Sequence, residues 1–175
     1  MITVLAPDGA TRSLRPTVLW QAEGAPICDV VLKNASGQPL MEATGVTSAA
    51  TFDKFKTATG GVAAPLSADE IYSIVVTTRP SGASATAFFA TTADARVQEH
   101  TEELPDPRTI VCACLDSLVN QDPPSFGDVL VMLATLPDEA QKEEVVLRLR
   151  LYCLGQREHA EAFHELYQAE VREKP

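Results

Sequence analysis

Cys112-Ala113-Cys114 is the pair whose residue types come nearest to metal chemistry. On a helix, residues two apart point about 200° away from one another, so the two thiolates cannot grip one ion; C-x-x-C spacing or a loop is needed. Cys153 with His159 or His164 would complete a zinc set only if the fold gathered them. The two histidines are five apart, not the four of H-E-x-x-H, and suit a solvated acidic helix better. No metal and no cofactor are expected.

Nucleophilic catalysis is equally poorly supplied. The G-x-S sequence Gly82-Ala83-Ser84-Ala85 lacks the second glycine of a nucleophile elbow, and all three histidines lie beyond residue 99. Gly60-Gly61 has no lysine or helix start behind it, as a phosphate loop requires. Glu102-Glu103 and Glu143-Glu144 are adjacent, so on helices their carboxylates diverge and read as solvated faces. Asn34-Ala35-Ser36 fits the glycosylation pattern, but its main reading is a turn. The chain is expected not to be an enzyme.

The elements that carry these residues differ between the two halves. Residues 1–100 hold 7 Lys/Arg against 9 Asp/Glu, whereas residues 101–175 hold 7 against 15, a net of −8. Phosphate backbones and anionic lipid repel such a surface, so nucleic acid and membranes are poor partners and basic or apolar protein surfaces good ones. No stretch approaches the roughly 20 apolar residues of a membrane span, and the N-terminus lacks a signal peptide's basic and apolar regions. Four cysteines inside apolar runs read as buried thiols. A cytoplasmic location is expected; a signal or anchor preceding Met1 would make it periplasmic or extracellular.

Residues 1–92 consist of short β-prone runs between turn signals. Ile2 to Leu5 ends at Pro7-Asp8-Gly9, Thr17-Val18-Leu19-Trp20 runs into Glu23-Gly24, and Ile27 to Leu32 alternates before Asn34-Ala35-Ser36-Gly37. Ile71 to Thr78 and Ala83 to Thr92 flank Arg79-Pro80-Ser81-Gly82, which reads as a hairpin loop. In LSADEIYSIVVTT, Ser67 and Glu70 form a capping-box pattern for a helix, yet β-branched residues follow. Tyr72, Ile74, Val76 and Thr78 repeat with period two, so the strand is expected to win. A tyrosine entering a strand six residues after Leu66 fits a tyrosine corner, its hydroxyl bonded to backbone slightly upstream.

On APDGAT, TVLWQ, ICDVVLKNASGQPL, PLSADEIYSIVV and AFFATTAD, residues 3–92 resemble the divergent fibronectin type III domains of bacterial proteins. The resemblance implies a seven-stranded Greek-key β-sandwich, with Trp20 in the core of the second strand, Leu66 and Tyr72 as the corner pair, and Phe88 or Phe89 as the last strand's core contact. Cys28 stands where the family often has tyrosine, so Phe52 or Phe55 must fill that space or the core shrinks. The strands within Ser48 to Gly61 are not assignable. The resemblance implies a spacer or binding scaffold and no activity.

Beyond Thr92 the pattern is helical. Asp94 caps a connector through Leu104, stopped by Pro105 and Pro107; Arg108 to Asn120 presents Val111, Cys114, Leu115 and Leu118 on one face. Ser125 with Asp128 offers a cap for a helix carrying Phe126, Val129, Leu130, Leu133 and Leu136. Asp138 to Leu154 reads as one helix with two apolar stripes, Val145/Leu149/Tyr152 and Leu147/Leu151/Leu154, to be covered on two sides. Glu158 to Arg172 reads as the last helix. LGQREHAEAFHEL weakly resembles a tetratricopeptide hairpin, which implies a protein-binding groove if the array is open.

The expected architecture is therefore segregated α+β: a seven-stranded Greek-key sandwich over 1–93, a helical connector over 94–107, and an acidic module over 108–175 within a bundle of four to five helices. The expected function is that of a non-enzymatic protein-protein interaction or assembly module. Its partner site centres on Phe163 and Tyr167 flanked by Glu161 and Glu165, and self-association stays open. The alternative is a ligand- or carbohydrate-binding sensor domain of an exported or membrane-anchored regulator, using the sandwich loops and an exposed Trp20.

Overall fold

The computed structural model describes residues 1–24, 26–97 and 106–156. Strands come first: β1 (Ile2–Ala6), β2 (Gly9–Ser13), β3 (Val18–Ala22), β4 (Ile27–Asn34), β5 (Pro39–Val46), β6 (Ala49–Ala50), β7 (Ile71–Arg79) and β8 (Ser84–Arg96). Helices α1 (Pro107–Asn120), α2 (Phe126–Ala134) and α3 (Asp138–Gln141) follow. The last described element is α4, helical over residues 144–156.

The alternation read at residues 72–78 builds the centre of the core. Tyr72, Ile74, Val76 and Thr78 are all buried on β7, because successive side chains of a strand face opposite ways. They meet Val30 and Leu32 of β4 and, across the gap, Val4, Val18 and Trp20 of the second sheet. The Tyr72 ring stacks on Phe89 with centroids 5.6 Å apart. Its hydroxyl accepts the Ser67 N–H at 3.0 Å, which holds the chain's entry into β7 against the core. Leu66 is buried beside it. Strand parity also separates the paired phenylalanines: Phe89 faces inward with Ala87 and Thr91, while Phe88 is 61% exposed on the outer face.

The fold class departs from the expected seven-stranded Greek-key sandwich with a segregated helical bundle. Among the described residues, eight strands form a three-stranded sheet, β1-β3-β6, and a five-stranded sheet, β2-β8-β7-β4-β5. The second is mixed, because β2 pairs parallel with β8 while its other pairs are antiparallel. The first strand ends at Pro7-Asp8-Gly9, where the chain crosses from one sheet to the other and Gly9 takes a φ of +75° that favours glycine. Within Ser48 to Gly61 lie β6 and a 3-10 turn at Phe52–Lys54. Phe55 fills the core there and Phe52 packs at its edge.

Nor do the helices stand apart from the sheets. Leu5 of β1 and Leu19 of β3 pack against the cluster formed by Val129, Leu130, Leu133, Val146, Leu149 and Cys153. Gly127 permits this docking: a Cβ there would lie 3.3 Å from both the Ala6 Cβ and the Asp8 backbone nitrogen. The expected single helix from Asp138 to Leu154 is broken at residues 142–143. Gln141, at the end of α3, donates to the Leu136 carbonyl at 2.8 Å and accepts from Arg150 at 3.1 Å, which ties the break to both neighbours. Asp94, the expected start of a helical connector, lies in β8, and residues 98–105 and the expected last helix lie outside the described residues.

Candidate functional site

Two surfaces collect groups able to bind something: the seam between β2 and α2, and the outer faces of α1 and α4. The seam is polar. Asp128 accepts the Thr11 hydroxyl at 2.6 Å and the Arg12 backbone N–H at 2.8 Å. In return the Arg12 guanidinium donates through Nη1 to Gln121 at 3.1 Å, the Pro123 carbonyl at 2.9 Å and the Ser125 hydroxyl at 2.8 Å. Ser125 and Asp128 are the residues read as a cap for α2. The Ser125 side chain makes no capping bond to its own helix; both residues are recruited across the seam, where an arginine and a buried threonine supply stronger partners.

The surroundings of Asp128 set its acidity. Burial pushes its pKa up, opposed by the Arg12 N–H, the Thr11 hydroxyl, the Arg12 charge and the Ser125 hydroxyl. At the exposed edge of the seam Asp94 is shifted the other way, held low first by the Thr92 hydroxyl and also by Arg12 at 3.4 Å. The seam joins residues more than a hundred positions apart, and no local pattern marks it. Gly127, in the first turn of a helix that is apolar from Val129 onward, is the one signal the sequence offers.

The second surface is apolar. In α4, Val146, Leu149 and Cys153 form the stripe that is buried. The two stripes read from sequence are left largely open: Leu147 and Leu151 are exposed on one side, Val145 and Tyr152 on the other. Leu151 reaches 69% exposure. Glu144, Val145, Arg148, Leu149 and Tyr152 line an open cavity of about 490 Å³, and Phe126 meets Tyr152 edge-on at 6.2 Å. In α1, Ile110, Cys114 and Ser117 face inward, whereas Leu115 is exposed and Val119 is 78% exposed.

The residues singled out for chemistry scatter. Cys112 is exposed and Cys114 buried, as their spacing on α1 requires. Burial pushes the Cys114 thiol up to about 11 and, with the charge of Cys114 added, Cys153 up to about 12. Such thiols are protonated at neutral pH and poor nucleophiles or ligands. Among the described residues no three His, Cys, Asp or Glu side chains gather as a metal set would. Gly82 bends the β7–β8 hairpin loop with a φ of +71°. Glu144 pairs with Arg148 at 2.5 Å, and Asn34 accepts the N–H groups of Ser36 and Gln38 within a turn.

Phe163, Tyr167, Glu161 and Glu165 lie outside the described residues, as do His159, His164 and the Glu102-Glu103 doublet. Trp20 is 3% exposed, so it offers no aromatic platform to a sugar. Its indole N–H makes no regular hydrogen bond among the described residues; it faces the Cys28 sulfur, where its pull opposes the larger upward effect of burial on that thiol.

No protein family model matches the chain, and no curated protein is significantly similar to it. One similar solved structure is that of PorZ, described as an essential bacterial surface component of the type-IX secretion system of Porphyromonas gingivalis. It shares 19% identity at a TM-score of 0.35, over 51% of this chain and 11% of that one. The chain thus spans about a tenth of that protein, and a likeness of this size carries no argument about fold or function.

Proposed function

We propose that this chain is a non-enzymatic protein-protein interaction or assembly module whose helical layer engages a partner protein, with the sheets as its scaffold. The observation that supports this is the exposure of Leu147 and Leu151 on α4 and of Leu115 and Val119 on α1. Both pairs are spaced four apart, so each forms a short apolar stripe along one helix face. A helix apolar on two sides is ordinarily covered on two sides, and α4 has one buried stripe. The partner this favours presents apolar side chains flanked by Lys or Arg, because residues 101–175 carry a net of −8 and Glu143 and Glu144 border the α4 face. Phe163 and Tyr167, with Glu161 and Glu165, extend the same acidic apolar character along the chain. The fibronectin type III-like reading of residues 3–92 fits a scaffold role, and the buried Tyr72 corner supports it. The free cysteines favour a reducing compartment such as the cytoplasm.

The test is a complex reconstituted from purified components. A stoichiometric partner from the source cell whose affinity falls about tenfold or more with Leu151→Asp or Val119→Asp, at unchanged Tm, upholds the reading. A partner indifferent to both, and to Phe163→Ser and Tyr167→Ser, ends it, as does the absence of any stoichiometric partner.

A further inference from the structure

A separate cavity of about 310 Å³ lies beside the seam, between the β2–β3 connection and helices α1 and α2. It is smaller and better enclosed by polar groups than the apolar opening on α4. Its walls carry two guanidinium groups, Arg12 and Arg15, and two carboxyl groups, Asp116 and Asp128.

Not all of these groups are already engaged. Arg12 spends Nη1 on three acceptors and Nε on Asp94, so its Nη2 has no acceptor among the described residues. The Arg15 side chain is exposed and has no acceptor or ion-pair partner among them. On the acidic side, both Asp128 oxygens are taken by Thr11 and Arg12, while among the described residues Asp116 receives the Asn120 amide on one oxygen and nothing on the other. The lining also includes the apolar side chains of Pro16, Val131 and Met132. The cavity therefore offers free cationic donors, one free anionic acceptor and an apolar wall, with its formal charges balanced. A ligand of net charge zero but with separated charges complements that lining; a simple anion meets Asp116, and a simple cation meets the arginines. Its volume lies at the small end of the roughly 300–1,000 Å³ typical of small-molecule sites.

We propose that this cavity binds a free α-amino acid with an apolar side chain, its carboxylate on Arg15 and Arg12 Nη2, its ammonium on Asp116 and its side chain against Val131 and Met132. The site takes a different class of ligand from the helix faces assigned to a partner protein, although Asp116 and Val119, three apart on α1, are neighbours.

Isothermal titration and thermal shift of the full chain against the twenty L-amino acids test this, with 4-methylpentanoate and isopentylamine as controls that each keep one charge of leucine. Aliphatic amino acids such as leucine or methionine are expected to bind and to raise Tm with the logarithm of their concentration. Each control binds about tenfold more weakly or worse, the loss of one charge-assisted contact. Arg15→Ala and Asp116→Asn each weaken leucine by a similar factor, and Ala113→Trp, which fills the cavity from an exposed position on α1, abolishes binding. All three positions are exposed or on the rim, so unchanged circular dichroism confirms that the fold is retained. Binding of none of the twenty overturns the proposal. So does 4-methylpentanoate equalling leucine, or leucine binding that survives Ala113→Trp.

Discussion

Asp128 is the residue on which the attachment of helices to sheets turns most directly. Replacing it by alanine leaves the Thr11 hydroxyl and the Arg12 N–H without acceptors at a seam where α2 already lies against Ala6 and Asp8. A hydrogen bond to a charged group contributes about 1.5–3 kcal/mol, so two give roughly 3–6 kcal/mol. Part of that is offset because burial disfavours the ionised carboxyl, which its raised pKa records. A net loss of about 2–4 kcal/mol is the expected outcome for Asp128→Ala. For a chain of 175 residues, at about 2–4 °C per kcal/mol, Tm falls by roughly 5–15 °C. Asp128→Asn retains an acceptor for the Arg12 N–H without a charge to desolvate, and is expected within about 1 kcal/mol of the wild type. Urea melts of the three proteins, followed by far-ultraviolet circular dichroism and by Trp20 fluorescence, supply the comparison. The two probes report helix and sheet separately, and in the wild type they should coincide. Alanine and asparagine variants of equal stability, or an alanine variant indistinguishable from the wild type, would refute the reasoning.

The same carboxyl predicts a pH dependence. Its folded pKa is raised above the ordinary 3.8, so the folded state binds the proton more tightly; Asp128 therefore adds stability as pH falls from above the raised value toward 3.8. Wild type minus Asp128→Asn stability should rise on acidification through that window, and a flat difference contradicts it. Tyr72→Phe keeps the ring on Phe89 but strips the Ser67 N–H of its acceptor, at a cost of about 1–3 kcal/mol measured by denaturant melts. Phe89→Ala should cost about 3–5 kcal/mol and Phe88→Ala less than about 1 kcal/mol; a larger loss at Phe88 would mean that the strand faces the other way. Of the four thiols only Cys112 is exposed, so Ellman's reagent at pH 8 should titrate one fast group in the native chain and four in denaturant.

What could be read locally was the direction of side chains. Period-two alternation at residues 72–78 sends Tyr72, Ile74, Val76 and Thr78 to one face whatever the partner strands are, and that face became the core. The 3.6 period likewise placed Val129, Leu130 and Leu133 on the buried side of α2. The candidate partner surface was legible only as surplus: α4 carries more apolar residues than one contact can cover. Which stripe is buried depends on the neighbours, and neither sequence-read stripe matched the Val146/Leu149/Cys153 line that packs inward.

Tertiary structure decided pairing. That β2 lies parallel to β8, and that Ser125 and Asp128 turn from capping α2 to gripping β2, follow from contacts between residues far apart in the chain. Local propensity carries no information about such contacts, because an arginine that meets a serine and a carboxylate across a seam is, along its own strand, an ordinary polar residue. The sequence alone thus determined which faces are apolar and that strands precede helices; only the assembled chain determined where the last strand ends, which faces meet and which cavity opens between them.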